Sequence, residues 1–500
     1  MSFLLTPEAM SFAMFVAVFA LLMFGYPVGF TLMGTAMLFA GIGAARGIFD
    51  LHLLAALPLR VTGIMTNDLL QAIPLFLYLG VILQRTTLAA DLLNGLGALF
   101  GRRAGGLAVA TIVVSAMLAP TTGAIGATVL TVGLMSLPTM LKANYDKRLA
   151  SGVVCAAGTL GTVLPPSIVL ILLGTTMQGA AIEAQLARGQ LVTQPLTVED
   201  IYLGSVGPVG VILAAYLAYV VFVAWRHPER CPPPLGAEAR PDYRRLAFTL
   251  FTPMALILFM LGLIISGLAY TVEAAATGAI GATIYAFVRR QLDWQRLTET
   301  VHQVAKLTAM VFLLLIGATT FSLVFRGFNG DLLVGRILAA VPGGSTGAVL
   351  AVMAVVFLLG FFLDAIEIIF LVVPIAMPPL LFLGADPVWL TVLTAINLQT
   401  AFLHPPFGLA ILFVRSVAPP EVKTTDLYWG IIPFITISIA ALILVWAAPG
   451  LVTALPSHVE AQRMVVAPAS PGQMPPAPAS DEAPPSSADF AAPPAAKPPR

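Results

Sequence analysis

The sequence predicts an all-helical protein that crosses a membrane many times and is built from two related halves. Three observations predict it. Of the 500 residues, 59% are hydrophobic and only 10% charged, with a mean hydropathy of +0.95, whereas soluble domains carry about 25% charged residues. The apolar residues fall in runs close to the ~20 that a helix needs to cross a bilayer. An offset of 240 carries Pro138, Asp146, Pro165 and Pro166 onto Pro378, Asp386, Pro405 and Pro406, and Asp91-Leu92-Leu93 and Gly95 onto Asp331-Leu332-Leu333 and Gly335. Prolines and charges held in register over that distance mark a duplication. The offset leaves open whether the halves are parallel or inverted, since membrane repeats come in both kinds.

Other classes are excluded. A net charge of +1 gives no argument for a nucleic-acid partner. Cys155 and Cys231 lie far apart and make no disulfide or metal framework. His52, His227, His302, His404 and His458 are scattered without metal-ligand spacing. The sequence has no GxxxxGK[ST] loop, so the chain carries no ATPase of its own.

Taken in order, the start lacks a basic region, and its apolar run is too long for a signal peptide. It reads as an uncleaved first span ending near Gly25-Tyr26-Pro27, with a second over 28–45. Ile73-Pro74 opens a further helix that closes at Gln84-Arg85. The segment from Ala119-Pro120-Thr121-Thr122 to Ala127 joins two apolar arms that together hardly exceed one span. It is either a re-entrant hairpin tip or a surface turn, and the repeat favours the tip. The first broken helix is Gly158-Thr159-Leu160-Gly161-Thr162-Val163-Leu164-Pro165-Pro166-Ser167. A Pro-Pro step removes two backbone donors and forces the preceding residue out of helix. In hydrocarbon such a break is tolerated where the freed carbonyls face protein, water or an ion.

Residues 175–205 read as an extramembrane loop with an amphipathic piece, followed by a span over 206–225. The proline-rich segment 226–245 carries five arginines against three acids, which places it in the cytoplasm. Arg289-Arg290 closes the second span after it and returns to that side. Thr271 caps a helix with Glu273 near its positive end; a functional carboxylate is the alternative. Arg326 ends a span as Arg85 does. The stretch from Gly360 to Glu367 sits where the repeat expects a second hairpin tip, and carboxylates so deep in apolar sequence are functional candidates. The second broken helix, Asn397-Leu398-Gln399-Thr400-Ala401-Phe402-Leu403-His404-Pro405-Pro406-Phe407-Gly408, precedes Arg415 and a last span over 431–448. The organisation is therefore a first transmembrane repeat over 1–225, a cytoplasmic linker over 226–247, a second repeat over 248–455, and a disordered Pro/Ala-rich tail over 456–500.

Pairing each tip with its break groups Thr122 with Gly161, Leu164 and Pro166, and Gly360 with Ala401, His404 and Phe407. Unwound backbone offers carbonyl oxygens whatever the side chain, so Gly, Leu or Ala can sit at a cation site. Sodium is one candidate ion. Proton coupling through Asp364, Glu367 or His404 is the rival. Asp364 and Glu367, at i and i+3 on one helix face, could instead bind a divalent ion in a membrane enzyme. That chemistry needs a second acidic pair, and the first half offers Ala124 and Ala127. Arg326 and Arg415 are candidate ligands for a carboxylate cargo or interfacial anchors.

With these residues in hand, the chain resembles the large membrane subunit (M subunit, DctM-like) of the tripartite ATP-independent periplasmic (TRAP) transporters, up to about Leu455. The resemblance rests on Ile73-Pro74-Leu75-Phe76 with Gly80, Gly158-Thr159-Leu160-Gly161 with Pro165-Pro166-Ser167, Thr271-Val272-Glu273-Ala274-Ala275-Ala276, and Gly384-Ala385-Asp386-Pro387 with Pro405-Pro406-Phe407-Gly408. It implies a non-enzymatic, inverted-repeat elevator transporter with two re-entrant hairpins in the bacterial inner membrane. It further implies sodium-coupled uptake of an organic acid, with no cofactor beyond the coupling ion. Two partners are implied, a periplasmic substrate-binding protein (DctP-like) and a separate four-helix membrane subunit (DctQ-like). The chain departs from the family pattern at His404, Ala401, Val272 and Ala119-Pro120-Thr121. Asp364-x-x-Glu367 with Asn397-Leu398-Gln399-Thr400 resembles the branch associated with 2-oxo and other monocarboxylic acids.

Overall fold

A computed structural model describes residues 6–100, 103–122, 125–189, 196–233 and 243–457, and among these every regular element is a helix. The first half holds α1 (Pro7–Leu22), α2 (Val28–Ala45), α3 (Leu57–Met65), α4 (Asp68–Gln84), α5 (Leu88–Phe100), α6 (Gly106–Thr122), α7 (Ile125–Lys142), α8 (Lys147–Thr159), α9 (Ile168–Ala187) and α10 (Val198–Arg226). The second holds α11 (Tyr243–Ile265), α12 (Thr271–Val288), α13 (Trp294–Gly327), α14 (Gly330–Ala340), α15 (Gly344–Leu359), α16 (Ala365–Phe382), α17 (Pro387–Leu403), α18 (Leu409–Val417) and α19 (Thr424–Ala447). Among the described residues eight helices are long and apolar enough to cross a bilayer.

The register of the duplication now has physical causes. Shifted by 240, α7 falls residue for residue on α16. Asp146 and Asp386 are counterparts because each is the N-cap of a broken helix, accepting from the backbone N–H of Arg148 (2.8 Å) and Trp389 (2.7 Å). Asp91 and Asp331 each sit in the first turn of α5 and α14, at the positive end of the helix dipole.

Contacts between the halves fix their relative direction. Gly29 on α2 lies against Leu313 of α13, and Gly43 against Phe328 just beyond its end, so α2 and α13 run the same way. Successive spans α12 and α13, joined by a five-residue turn, run oppositely, so α12 is antiparallel to its counterpart α2. The other crossing agrees: Tyr78 of α4 bonds Thr283 of α12 (3.0 Å), and Thr87 N–H donates to Gln291 (2.9 Å) where both helices end. The repeats are inverted.

These four helices form one reciprocal group, α2 on α13 and α12 on α4. Gly29 and Gly317 permit backbone contact at the first crossing, since a Cβ on Gly317 would strike the Gly29 carbonyl. The hairpin and broken helices form a second group, in which α8 packs on α19 and α9 on α16. Arg188 at the end of α9 donates to the Leu381 (2.6 Å) and Phe382 (2.5 Å) carbonyls at the end of α16. This cation serves the negative end of that helix.

Four local expectations are corrected. The helix expected to open at Ile73 opens at Asp68, because the Asn67 side chain accepts from Leu69 and Leu70 N–H and starts it earlier, leaving Pro74 inside. Most of 175–205 is membrane helix rather than loop: Thr175 and Thr176 turn their hydroxyls onto the Ile171 and Leu172 carbonyls, and α9 continues to Ala187. The cap before Glu273 is Tyr270, whose N–H donates to Glu273 (2.9 Å), and Thr271 is the first helical residue. Asp364 is not on a helix face with Glu367; it is the N-cap of α16. Two further expectations, the 234–242 part of the linker and the tail beyond 457, lie outside the described residues.

Candidate functional site

The site is built where two helices stop inside the bundle. In the first half, α8 runs into a 3-10 turn, Leu160–Thr162, and the chain unwinds before α9. Ser167 bridges the gap, its hydroxyl donating to the Gly161 carbonyl (2.7 Å) and lying 3.3 Å from that of Thr162. Leu164 N–H donates to the Leu160 carbonyl (3.1 Å). Pro165 and Pro166 are buried, and the peptide bond between them is cis. The partner tip follows α6, which ends at Thr122; that side chain and residues 123–124 lie outside the described residues.

In the second half, α17 stops at Leu403 and the chain passes through the cis Pro405-Pro406 step into α18. His404 N–H donates to the Ala401 carbonyl (3.1 Å), and the His404 carbonyl accepts from Gly408 N–H (2.9 Å). The His404 ring stacks on Phe361 (5.1 Å between centroids, 22°) and meets Phe357 edge-on (5.2 Å). Its Nδ1 is 2.5 Å from the Pro405 carbonyl, an acceptor only, so Nδ1 carries the proton. Phe407 packs on Phe362 (5.8 Å). The tip between α15 and α16 presses on the break, with Gly360 so close to Ala401 that a side chain on Gly360 would collide with it. Asn397, buried on α17, ties the same hairpin by donating to the Met353 carbonyl (2.7 Å).

The structure therefore brings Gly360, Ala401, His404 and Phe407 together. It also sets the turn holding Gly161 against α17. Glu367 reaches back to the start of its own helix, where the Asp364 N–H donates to it (3.1 Å). A carboxylate committed to its own helix end is poorly placed to clamp a divalent ion. Arg415 is exposed and donates to the Val422 carbonyl (2.5 Å), pinning the turn before α19. It belongs to neither break.

Arg326 is elsewhere. It pairs with Glu183 (2.6 Å), and both line a cavity of about 380 Å³ between α3, α4, α9, α13 and α16, together with Arg60, Asn67, Thr175 and Ser322. Sequence reasoning missed Arg60 and Glu183, and named Ser167 and Asn397 only as members of their motifs, with no role of their own. Asn397 carried a readable signal, a polar side chain within apolar helix; Glu183 was hidden by assigning its segment to a loop.

Comparison with known proteins decides the family. Residues 15–451 match the model of the tripartite ATP-independent periplasmic transporter, DctM component. The chain belongs to this family. The C4-dicarboxylate TRAP transporter large permease protein DctM of Rhodobacter capsulatus is 28% identical over 400 residues, 79% of this chain and 88% of that protein. The isethionate TRAP transporter permease protein DctMQ of Oleidesulfovibrio alaskensis is 26% identical over 393 residues, 76% of this chain and 57% of that longer one. In fold, the chain resembles the crystal structure of the Alcanivorax borkumensis YdaH transporter, with a TM-score of 0.58 at 17% identity, over 80% of this chain and 88% of that one. A DctM chain is a multi-span transport permease, so the enzyme reading of Asp364 and Glu367 falls.

Proposed function

We propose that this DctM chain is the translocating subunit of a bacterial inner-membrane uptake system for an organic acid. In this reading sodium drives transport, a periplasmic binding protein delivers the cargo, and a small four-helix membrane subunit braces the large one. The observation that carries it is the contact of a hairpin tip with a broken helix, Gly360 on Ala401, in a chain whose other broken helix turns against α17. Both breaks offer backbone oxygen within the bundle, the chemistry a desolvated alkali cation needs. Two relatives named for C4-dicarboxylate and isethionate, both organic anions, support the cargo class. The joined name DctMQ supports a second membrane component.

The packing also supports an elevator. The reciprocal group α2, α4, α12 and α13 acts as the frame, and the hairpins with α8, α9, α17 and α19 move against it carrying cargo and ion. The test is uptake of a labelled organic acid into proteoliposomes holding both membrane subunits, with the binding protein outside. Sodium and proton gradients are imposed separately. An inward sodium gradient should suffice; uptake that follows the proton gradient and ignores sodium would refute the coupling.

A further inference from the structure

The cavity that holds Arg326, a candidate carboxylate ligand by sequence, is lined by no residue of either break. Its walls come from both helical groups: α3, α4 and α13 on one side, α9 and α16 on the other. Its face of the membrane follows from the chain direction. The helix α11 leaves the arginine-rich linker, α12 returns, and α13 crosses again to end at Arg326, opposite the linker. The cavity's charged lining is two guanidinium groups, Arg60 and Arg326, against one carboxylate, Glu183. Arg326 and Glu183 are paired across the boundary between the groups and still about one-third exposed to the cavity, 30% and 34%. Arg60 is half-buried in the same wall. The site thus keeps one positive charge in excess, with polar groups of Asn67, Thr175 and Ser322 around it. A few hundred Å³ suits a small ligand.

We propose that this cavity is a receiving site for a small organic anion, in which a carboxylate or sulfonate bridges Arg60 and Arg326 and displaces Glu183 from Arg326. Glu183 is the resident counter-ion that keeps Arg326 placed while the site is empty. Its release on anion entry unties α9 from α13, so loading loosens a bond that sliding of the two groups must break. The proposal rests on the organic-anion reading of the transporter.

The test reads local charge directly and needs no turnover. Gly179 lines the cavity, and a side chain added there meets nothing within 4 Å, while the native Cys155 and Cys231 are buried. The Gly179→Cys chain, in its full complex in liposomes, is labelled with an anionic sulfonatoethyl or a cationic trimethylammonium-ethyl methanethiosulfonate. The anionic reagent should react about tenfold faster than the cationic one, relative to their rates with a free thiol, as charged clefts concentrate counter-ions. Arg60→Gln should remove most of that preference, and Glu183→Gln should increase it. Millimolar succinate or isethionate should slow anionic labelling, and less so in Arg60→Gln. Equal rates for the two reagents, or no protection by either anion, would overturn the site. Where the unmodified complex still takes up organic acid, that result removes the receiving site alone. Protection without any uptake would keep the site and remove the transport reading.

Discussion

The two breaks occupy equivalent places in the repeat and are filled with opposite chemistry. Shifted by 240, Gly161, Leu164 and Ser167 become Ala401, His404 and Phe407, and Thr122 becomes Phe362. In the first half a hydroxyl closes the gap, Ser167 on the Gly161 carbonyl at 2.7 Å. In the second the equivalent residue is half exposed and packs ring on ring with Phe362. The first break is thus tied by hydrogen bonds and the second walled by aromatic rings. Inverted symmetry conserves the backbone interruption and leaves the side chains free to diverge. On the proposed sodium-coupled reading the two breaks are therefore inequivalent, and the first, where a hydroxyl stands beside the Gly161 carbonyl, is the better suited to a hard ion.

The largest effect should come from Gly360→Leu. Overpacking a buried contact costs about 1–3 kcal/mol or more, and here the added side chain drives the tip off Ala401. Sodium-driven uptake in proteoliposomes should fall about 100-fold, the upper part of that range, with the protein still inserted and folded. Gly360→Ala should be milder, and adding Ala401→Gly should restore it, because the two substitutions share one contact. Failure of the second change to rescue the first would mean that the tip does not work against the break.

A smaller loss is expected at Ser167. Replacing it by alanine strips the Gly161 carbonyl of its buried donor, a penalty of about 1–3 kcal/mol. If the hydroxyl holds that carbonyl in place for the ion, the half-saturating sodium concentration should rise about thirtyfold, the middle of that range. Phe407→Ala, at the equivalent position, should change sodium dependence far less. Equal shifts from both would erase the proposed asymmetry between the breaks.

Much of this frame was legible in the sequence because it depends on backbone chemistry. Pro165-Pro166 and Pro405-Pro406 interrupt their helices, although Pro378-Pro379 is carried inside α16, and the repeated Asp146 and Asp386 stand where the broken helices are capped. The inversion was not legible from residue offsets; it needed contacts such as Gly29 with Leu313. Polar residues misled where they were satisfied within their own helix. Thr175 and Thr176 look like loop residues until their hydroxyls are seen on the carbonyls one turn back. Asp364 and Glu367 looked like a metal face, and their spacing also suits a capping box. Pairings across the bundle, Arg326 with Glu183 and Asn397 with Met353, are long-range and leave no local pattern.

The smallest effect is the one that best separates sodium from proton coupling. His404 is the second break's titratable side chain, standing where the first break has Leu164. Its ring does the work of an aromatic wall, stacked on Phe361 and edge-on to Phe357, while its backbone N–H and carbonyl are spent on Ala401 and Gly408. Phenylalanine reproduces the ring contacts and the backbone bonds, and loses only the Nδ1 bond to the neighbouring Pro405 carbonyl. One local hydrogen bond is worth about 1 kcal/mol net, so His404→Phe should keep uptake within about fivefold of the parent. A proton carrier could not be replaced so cheaply. The uptake rate as a function of pH should keep its shape in the variant, since the leucine at the equivalent position shows that the fold does not require a titrating group there. Loss of uptake, or a pH profile whose shape changes in the variant, would make His404 the coupling group. The second break would then be a proton site facing a sodium site in the first.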